Sequence, residues 1–410
     1  MLWWYDLGIH AYTAAVKIAS LFSHKAKLWV RGRRDIFERL QSSVSGEKIV
    51  WIHAASLGEF EQGRPVIEAV REQFPDRKIL LTFFSPSGYE IRRNYNGADW
   101  VFYLPADTAR NAVRFLDIVR PEIAVFIKYE FWLNYLNELS RRQIPTYVIS
   151  AIFRRDAVFF RPYGKVFLRA LRSFRTIFVQ DEASVKLLGE FGITQAVAAG
   201  DTRFDRVSKI VRDAVSLPVV EDFAGGSPVF VAGSTWGPDE QLLAEFINSV
   251  DGFKFIVAPH EIEDGRIARF MASVKGGCQR YTSYDMAHGN NDKVLIIDTI
   301  GILSSVYRYG RYAYIGGGFG VGIHNTLEAA VYGIPVAFGP NYGKFREAVE
   351  LIACGGAATV SDCTELSEWF CRLEADSSRY RDAADAAGNY VAEHIGATYT
   401  ILKTLAETLC

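Results

Sequence analysis

Residues 312–340, YAYIGGGFGVGIHNTLEAAVYGIPVAFGP, contain the strongest structural signal in the chain. The stretch begins with an apolar, β-rich run at 312–315 and continues into a glycine-rich turn. A helical pattern at 325–332 and a second apolar run at 335–338 follow. Strand, helix and strand in this order are typical of a βαβ unit, whose strands lie parallel in one sheet. The stretch therefore predicts an α/β fold with a parallel sheet.

The same alternation extends through most of the chain, with one interruption at 206–227, where Pro, Gly and acidic residues mix. The predicted strands lie at 49–53, 78–83, 100–104, 123–127, 146–150, 176–179 and 196–199, and then at 229–232, 253–257, 294–297, 312–315, 335–338 and 358–360. The predicted helices lie at 59–73, 107–118, 131–140, 160–172 and 182–190, and then at 238–249, 262–274, 299–306, 325–332, 344–353 and 376–407. Two alternating series predict two doubly wound domains.

The length of 410 residues also favours two hydrophobic cores over one. The predicted organisation is a membrane-associating helix and basic flank at 1–40, a first Rossmann-like domain at 41–206 and a linker at 207–227. A second Rossmann-like domain occupies 228–375, and a helical segment occupies 376–410. Ligands of such sheets bind beyond the carboxyl ends of the strands, so a cleft between the two domains is the expected binding region.

Composition excludes several classes of function. The formal net charge is −1, so overall charge does not favour nucleic acid as a partner. The five cysteines are odd in number and form no C-x-x-C pair. They therefore indicate neither a disulfide framework nor a structural zinc site, and they suit a reducing compartment.

The amino terminus predicts an amphipathic helix. Polar residues recur every three or four positions, at Asp6, His10, Thr13, Lys17, Ser20 and His24, and leave a wide apolar face. A basic cluster follows, consisting of Lys25, Lys27, Arg31, Arg33 and Arg34. A helix lying in the membrane interface suits this pattern, since each Lys or Arg attracts anionic lipid by about 1 kcal/mol. The alternative is an amphipathic helix packed on the rest of the protein.

The glycine-rich turn predicts a phosphate-binding site. Gly316, Gly317 and Gly318 allow backbone N–H groups to approach a phosphate, and a helix beginning near Asn325 adds partial positive charge. Glu328 in the first turn of that helix is a candidate acceptor of hydrogen bonds from ribose hydroxyls. The alternative is that Asn325 and Glu328 form a capping box and the glycines only turn the chain. No G-x-G-x-x-G motif follows the first strand, so the dinucleotide fingerprint is absent from the sequence.

Polar residues at other predicted strand ends supply candidates for catalysis. Glu59 follows the first strand in HAASLGE, and a carboxylate there can take a proton from an acceptor hydroxyl. The alternative is a capping box formed by Ser56 and Glu59. Similar positions are occupied by Ser85 and Ser87 in SPSG, by Glu130 in KYEFWLN, by Ser234 in GST, and by Pro259 and His260 in PHE.

Taken together, these motifs resemble those of the Kdo (3-deoxy-D-manno-oct-2-ulosonic acid) transferases of lipopolysaccharide synthesis. The resemblance rests on WVRGRRDIFERL, WIHAASLGE, LLTFFSPSGYE, YLPADT, KYEFWLN, AAGDTRFDR, VAGSTWGPDE, VAPHEIE and GGGFGVGIHNTLEAAVYGIPVAFGPNYGKFREA, in that order. It implies a GT-B fold, CMP-Kdo as donor, a lipid A precursor of the lipid IVA type as acceptor, and inversion at the anomeric carbon. It also implies a location at the cytoplasmic face of the inner membrane.

The resemblance further implies roles for individual residues. Glu59 matches the catalytic base and Glu130 a second acidic residue of the active site. The donor side comprises Gly58, Ser234, Pro259, His260, Gly317, Gly318, Phe319, Asn325 and Glu328. The acceptor or membrane side comprises Ser85, Ser87 and the five basic residues from Lys25 to Arg34. The E-x-E-x-W-P-N pattern of the family is changed here, because Lys128 replaces the first acid and Leu133 the proline.

Cofactors are not expected. The leaving CMP carries a single phosphate, which glycine-turn amides and a helix dipole can stabilise without a metal, and the chain contains no D-x-D triplet. Two other functions fit parts of the sequence. One is a GT-B transferase or epimerase that uses a UDP-sugar. The other is a catalytically inactive GT-B protein that binds nucleotide or lipid as a scaffold.

Overall fold

The computed structural model describes residues 3–44, 48–161, 164–287 and 291–410. The chain forms two compact units. The first unit contains residues 1–205 together with the carboxyl-terminal residues 396–410, and the second contains residues 206–395. The carboxyl-terminal residues therefore return to the unit in which the chain begins.

The first unit is built on a seven-stranded parallel sheet with the order β3-β2-β1-β4-β5-β6-β7. Its strands are β1 (Ile49–Ala54), β2 (Lys78–Phe83), β3 (Trp100–Tyr103), β4 (Ile123–Ile127), β5 (Thr146–Ala151), β6 (Thr176–Val179) and β7 (Ala196–Ala198). Every residue of β1 and β4 is buried, because helices cover both faces of the sheet. Trp51 of β1 pairs with Leu80 of β2 and with Ala124 of β4.

Helices alternate with these strands. They are α1 (Trp3–Ala19), α2 (His24–Gly32), α3 (Ile36–Ser43), α4 (Leu57–Gln73), α5 (Pro86–Arg92), α6 (Ala109–Val119), α7 (Leu133–Arg141), α8 (Lys165–Leu171), α9 (Glu182–Glu190), α10 (Thr202–Arg212) and, at the carboxyl terminus, α19 (Ala397–Leu409). Gly63 of α4 lies against Ile127, where a Cβ atom would overlap the isoleucine side chain. The glycine therefore lets α4 pack closely on β4 and fixes the start of α4 beside the end of β1.

The second unit contains another seven-stranded parallel sheet, with the order β10-β11-β9-β8-β12-β13-β14. Its strands are β8 (Val229–Thr235), β9 (Lys254–Pro259), β10 (Cys278–Arg280), β11 (Val294–Ile296), β12 (Tyr312–Ile315), β13 (Val336–Phe338) and β14 (Ala357–Thr359). Its helices are α11 (Pro218–Ala224), α12 (Gly237–Ser249), α13 (Asp264–Ser273), α14 (Leu303–Val306), α15 (Leu327–Ala330), α16 (Arg346–Ala353), α17 (Cys363–Glu374) and α18 (Ser377–Glu393).

The predicted parallel sheets are confirmed, and each predicted strand corresponds to an observed one. The differences lie elsewhere. The structure adds β10, α2, α3, α5 and α17. Residues 206–227, which the sequence marks as a break, contain most of α10 and all of α11. The helices predicted at 299–306 and 325–332 shorten to the single turns α14 and α15. The helix predicted at 376–407 is divided into α18 and α19, because Gly396 adopts a φ of 124°, which a helix does not accommodate.

Helix α1 contains no buried residue, and its apolar side faces outward. The exposed fractions of its large apolar side chains include 69% for Trp3, 63% for Leu7 and 64% for Ile18. Its other side contacts the rest of the first unit through polar and aromatic side chains, and Tyr12 stacks on Phe84 with ring centres 6.1 Å apart. Tyr5 donates a hydrogen bond to Asp107 at 2.7 Å, and Asp6 accepts one from Asn134 at 2.8 Å. In the described part of the chain, no helix combines the length and the apolar character needed to cross a bilayer.

Candidate active site

The strand order places the candidate residues at the two points where ligands of doubly wound sheets bind. In the first sheet the order reverses between β1 and β4, and in the second it reverses between β8 and β12. Glu59 follows β1 and Glu130 follows β4. Ser234 lies at the end of β8, and the glycine turn follows β12. Each unit therefore carries predicted site residues at its own topological switch point.

Glu59 lies in the first turn of α4 and uses one carboxylate oxygen to cap that helix. Its Oε2 accepts hydrogen bonds from the backbone N–H groups of Ala55 at 2.7 Å and Ser56 at 3.1 Å. Its Oε1 has no hydrogen-bond partner within the described ranges. Burial, reinforced by the neighbouring Glu130 carboxylate, raises the pKa of Glu59 to about 7 against the effect of the backbone hydrogen bonds. The carboxylate thus fulfils the capping role and keeps one oxygen available for a proton.

Glu130 is held in a polar group with His53 and Trp132. The indole N–H of Trp132 points at both partners, with distances of 2.7 Å to Glu130 Oε2 and 3.1 Å to His53 Nε2. Glu130 Oε2 and His53 Nε2 are 3.4 Å apart. The Trp132 indole thus holds the Glu130 carboxylate beside the His53 ring.

Thr82 completes the hydrogen bonding of His53 inside the sheet. Its hydroxyl oxygen lies 2.8 Å from His53 Nδ1 and accepts a hydrogen bond from the Trp51 indole, also at 2.8 Å. His53 and Thr82 are completely buried. A buried imidazole with both nitrogens satisfied keeps a fixed orientation. This network holds the Trp132 and Glu130 side chains beside the carboxyl end of β1.

The glycine turn of the second unit is bound to the start of α12. Asp239 accepts hydrogen bonds from the backbone N–H of Gly317 at 2.9 Å, from the N–H of Trp236 at 2.8 Å and from the Tyr314 hydroxyl at 2.8 Å. Gly317 has a φ of 93°, and a Cβ atom on Gly316 would overlap the backbone of Ser234. The turn at the end of β8 and the glycine turn after β12 are therefore in direct backbone contact. Only a glycine at position 316 permits this contact.

Asn325 and Glu328 contact each other after the turn, and the helix that follows is shorter than predicted. Asn325 Oδ1 accepts a hydrogen bond from Leu327 N at 3.2 Å, and Asn325 Nδ2 donates one to Glu328 Oε1 at 3.0 Å. The helix α15 begins only at Leu327 and has four residues, so its dipole is smaller than the sequence predicts. The two side chains contact each other directly, and Glu328 is half-buried.

The other predicted donor residues have distinct environments. Ser234 adopts a φ of 54°, which is uncommon outside glycine and marks a strained turn. Pro259 ends β9, His260 is exposed, and Phe319 packs against the core of the second unit. Gly58 lies exposed in the first turn of α4, in the first unit.

The predicted acceptor residues lie on the first unit. Ser85 caps α5 and accepts a hydrogen bond from Ser87 N at 3.3 Å. The exposed basic residues of α2 and its end are Lys25, Lys27, Arg31 and Arg34. Arg33 differs from them, because it donates to the carbonyls of Leu104 and Phe84 at 2.8 Å and lies 3.8 Å from the centre of the Trp29 ring. This contact set gives Arg33 a structural role in holding α2 on the sheet.

Four side chains near these sites were not among the predicted site residues: His53, Trp132, Trp236 and His324. Each belongs to one of the sequence motifs quoted above, in the segment at or after the end of a strand. This position is the signal by which they could have been selected as site residues. Their hydrogen bonds join residues far apart in the chain, such as Trp236 with His324, and spacing does not reveal such pairs. Over the described residues, no group of three or more His, Cys, Asp or Glu side chains is arranged to hold a metal ion.

Comparison with known proteins relates the chain to the Kdo transferases. Residues 32–206 match the family model described as 3-deoxy-D-manno-octulosonic-acid transferase (kdotransferase). The 3-deoxy-D-manno-octulosonic acid transferase of Bordetella pertussis is 25% identical over 413 residues, covering 93% of this chain and 95% of the relative. That of Aquifex aeolicus (strain VF5) is 25% identical over 325 residues, covering 77% and 83%. The predicted family and the prediction of a glycosyltransferase are confirmed.

Solved structures share the fold at lower identity. A UDP-N-acetylglucosamine 2-epimerase superimposes with a TM-score of 0.60 at 14% identity, covering 88% of this chain and 96% of its own. A glycosyltransferase from Rickettsia africae ESF-5 does so with a TM-score of 0.56 at 10% identity, covering 89% and 99%. These similarities extend over both units and confirm the predicted GT-B fold. At this identity they concern the fold alone.

Proposed function

We propose that this chain, a relative of the Kdo transferases, transfers Kdo from CMP-Kdo to a lipid A precursor of the lipid IVA type, with inversion at the anomeric carbon. The observation that carries the proposal is the environment of Glu59. One of its oxygens is fixed by two backbone N–H groups, the other has no partner within the described residues, and the pKa lies at about 7. A carboxyl group with this pKa is suited to general base catalysis near neutral pH.

In the proposed reaction, Glu59 takes the proton from an acceptor hydroxyl while that oxygen attacks the anomeric carbon of Kdo. A new carbon–oxygen bond forms as the bond to the phosphate oxygen breaks, and CMP leaves with the electron pair of that bond. Attack opposite the leaving group inverts the anomeric carbon. Glu130 keeps the pKa of Glu59 high by its negative charge and is itself positioned by Trp132. No metal is needed in this scheme.

The second unit is proposed to bind the donor, within residues 228–375. Its glycine turn lets the backbone lie close to the phosphate, although the N–H groups of Gly316 and Gly317 are already bonded to Gly233 and Asp239. Glu328, oriented by Asn325, accepts hydrogen bonds from the ribose hydroxyls. Gly318 lies against the backbone of Gly339, where a Cβ atom would overlap, so the turn packs tightly on the segment after β13. Ser234, Pro259, His260 and Phe319 belong to the same proposed donor side.

The first unit is proposed to bind the acceptor, within residues 41–206 and the preceding helices. An apolar cavity of about 380 Å³ is lined by Ile9, Tyr12, Trp29, Phe84 and Trp132, among others. A second cavity of about 410 Å³ shares Trp29 and Ala106 with it. Its charged lining residues are three basic and two acidic ones, Lys17, Arg33, Arg34, Asp35 and Glu38. An apolar cavity beside one with an excess of basic side chains suits an acylated, phosphorylated lipid. Trp132 connects the apolar cavity to Glu130 and His53.

The enzyme is further proposed to work at the cytoplasmic face of the inner membrane. The outward apolar side of α1 and the exposed basic residues Lys25, Lys27, Arg31 and Arg34 support this proposal. Aromatic and aliphatic side chains of such a helix enter the interface, while Lys and Arg attract anionic headgroups. The polar side of α1 is already engaged with Asp107 and Asn134.

A product assay tests the proposed function. Purified protein is incubated with a tetraacylated, bisphosphorylated disaccharide acceptor in detergent, together with either CMP-Kdo or UDP-N-acetylglucosamine, and the lipid is analysed by mass spectrometry. We expect a lipid product heavier by Kdo, with one CMP released for each Kdo transferred, and no reaction of the UDP-sugar. Turnover of the UDP-sugar without any Kdo-extended lipid would overturn the proposal.

A further inference from the structure

Three rings of the second unit form a stack beside the glycine turn. Trp236 follows β8, His260 follows β9 and His324 follows the glycine turn. The Trp236 indole N–H donates to His324 Nε2 at 2.9 Å, and the two ring planes differ by 12° with centres 6.4 Å apart. The two rings therefore lie edge to edge in nearly one plane. His260 stacks over both, with centre distances of 4.7 Å to Trp236 and 4.2 Å to His324.

The hydrogen bond determines which nitrogen of His324 carries a proton. An indole N–H cannot accept, so His324 Nε2 must be unprotonated and the proton of the neutral ring lies on Nδ1. A second proton on Nε2 would point at the indole N–H and break the bond. Burial lowers the pKa of His324 to about 4, with a further contribution from His260. His324 is thus neutral at neutral pH.

The third ring of the stack, His260, differs from the other two in its surroundings. It is exposed, and its ring nitrogens have no hydrogen-bond partner in the part of the chain that the structure describes. An imidazolium at this position lies on the face of the Trp236 ring, where the aromatic π electrons favour a cation. The neutral state of His324 removes the repulsion that a second imidazolium would cause.

Charged groups around the stack come from two helices. Arg266 of α13 lies 5.8 Å from the centre of the Trp236 ring and forms an ion pair with Glu240 of α12 at 3.1 Å. Asp239 of α12 is held by backbone N–H groups of Trp236 and Gly317. Glu261 follows His260 directly in the chain. Arg266 and Asp239 both have fixed hydrogen-bond partners. Of the groups around the stack, His260 is therefore the one that is available to bind an arriving anion.

The stack also lies against the proposed phosphate site. A Cβ atom on Gly317 would lie 3.1 Å from His324 Cδ2, so the ring of His324 packs directly on the glycine turn. We propose that Trp236 and His324 are positioning residues, which hold His260 so that its imidazolium binds the phosphate of a nucleoside monophosphate group at this turn. The inference rests on the proposed donor site and adds Trp236 and His324 to it.

Imidazole NMR titration of the full chain tests this inference, with CMP as probe and cytidine as the matched ligand without phosphate. The chain contains seven histidines, and a His260→Gln variant assigns the signal. We expect CMP to raise the pKa of His260 by about one unit and cytidine to leave it unchanged. An unchanged pKa of His260 in the presence of saturating CMP would overturn the inference.

Two variants separate positioning from simple packing. Trp236→Phe keeps an aromatic ring but removes the N–H. We expect it to raise the pKa of His324 towards 6.5, to halve the CMP-induced shift of His260 and to raise KM for the donor several-fold with kcat retained. His324→Gln offers an amide oxygen to the Trp236 N–H, and we expect it to preserve the His260 shift. His10→Gln in α1 is the control. A Trp236→Phe protein with wild-type shifts and KM would contradict the inference.

The experiments distinguish a failure of this inference from a failure of the proposed function. A protein that transfers Kdo while CMP leaves the pKa of His260 unchanged retains its function and loses this inference. A protein that forms no Kdo product while CMP still shifts His260 loses the proposed reaction, and the phosphate-binding role of His260 stands.

Discussion

The Glu59 carboxylate combines a structural and a proposed chemical role because its two oxygens differ. One accepts the backbone N–H groups at the start of α4, and the other has no partner among the described residues. A carboxyl group that only capped the helix would gain from being ionised, and its pKa would fall. Burial and the Glu130 charge outweigh this effect and raise the pKa to about 7. The balance leaves a base that can be protonated near neutral pH.

The raised pKa predicts the pH dependence of activity. A general base acts only when ionised, so the rate of Kdo transfer should rise with pH and reach half of its plateau near pH 7. Glu130→Gln removes the like charge, so the midpoint of its residual activity should move to lower pH. Initial rates measured from pH 5 to pH 9 give both midpoints, with Glu72→Gln, an exposed residue on α4, as control. An unshifted midpoint in Glu130→Gln would contradict this electrostatic account.

At the level of single residues, the sequence revealed the candidates but not their partners. Glu59 and Glu130 could be selected because both follow buried strands of a parallel sheet, whose ends face the same edge. The roles of His53 and Trp132 depend on distances between residues 79 positions apart. Such contacts follow from the packing of β1 against β4, and a sequence pattern does not contain them.

Among the helices, α19 is attached at its start by one half-buried carboxylate, that of Asp205. Asp205 accepts hydrogen bonds from Gly396 N at 2.7 Å, Thr398 N at 2.7 Å and the Thr398 hydroxyl at 2.8 Å. These N–H groups lie at the start of α19, where no intrahelical partner exists. The apolar side of α19 then packs into the core with Ile401, Leu405 and Leu409.

We predict that Asp205→Ala lowers the free energy of unfolding by about 1–3 kcal/mol, because it leaves N–H groups at the start of α19 without acceptors. Urea unfolding followed by circular dichroism measures the change. The matched control is Asp213→Ala, in which an exposed aspartate after α10 is removed and less than about 0.5 kcal/mol should be lost. Equal stability of the two variants would show that Asp205 does not anchor α19.

A second prediction at this scale concerns α1. Leu7→Glu combined with Ile18→Glu places two charges on its outward apolar side, so binding to anionic phospholipid vesicles should fall several-fold in a sedimentation assay. Folding should be unaffected, since both side chains are exposed. Val215→Glu, at an exposed position of the second unit, serves as control. Undiminished sedimentation of the double variant would remove α1 from the membrane contact.

The helical elements also show where prediction from sequence reached its limit. Strands could be placed to within a few residues because their apolar runs are short and continuous. The segment 325–332 has helical composition, but Asn325 bonds to Leu327 N and α15 ends after one turn. Segment 206–227 contains Pro and Gly, yet Pro218 begins α11 and Gly225 ends it in a left-handed conformation. Local composition therefore located the ends of these two segments but did not predict the secondary structure within them.

In the molecule as a whole, the proposed chemistry and the proposed donor binding belong to different units. Glu59 and Glu130 belong to the first unit, and the glycine turn, Asn325 and Glu328 belong to the second. Substitutions in the two units should therefore have separable effects. Loss of the base should stop transfer without weakening CMP binding, and loss of the ribose acceptor should weaken CMP binding directly.

The most direct measurement is a comparison of Kdo transfer and calorimetric CMP affinity in Glu59→Gln, with Glu72→Gln as control and Glu328→Gln as the donor-side variant. We predict that Glu59→Gln lowers kcat by roughly 10²–10⁴-fold with CMP affinity within twofold of wild type. Glu328→Gln should instead weaken CMP binding by about tenfold or more. Transfer by Glu59→Gln at the wild-type rate, or an equal loss of CMP affinity in both variants, would contradict the account.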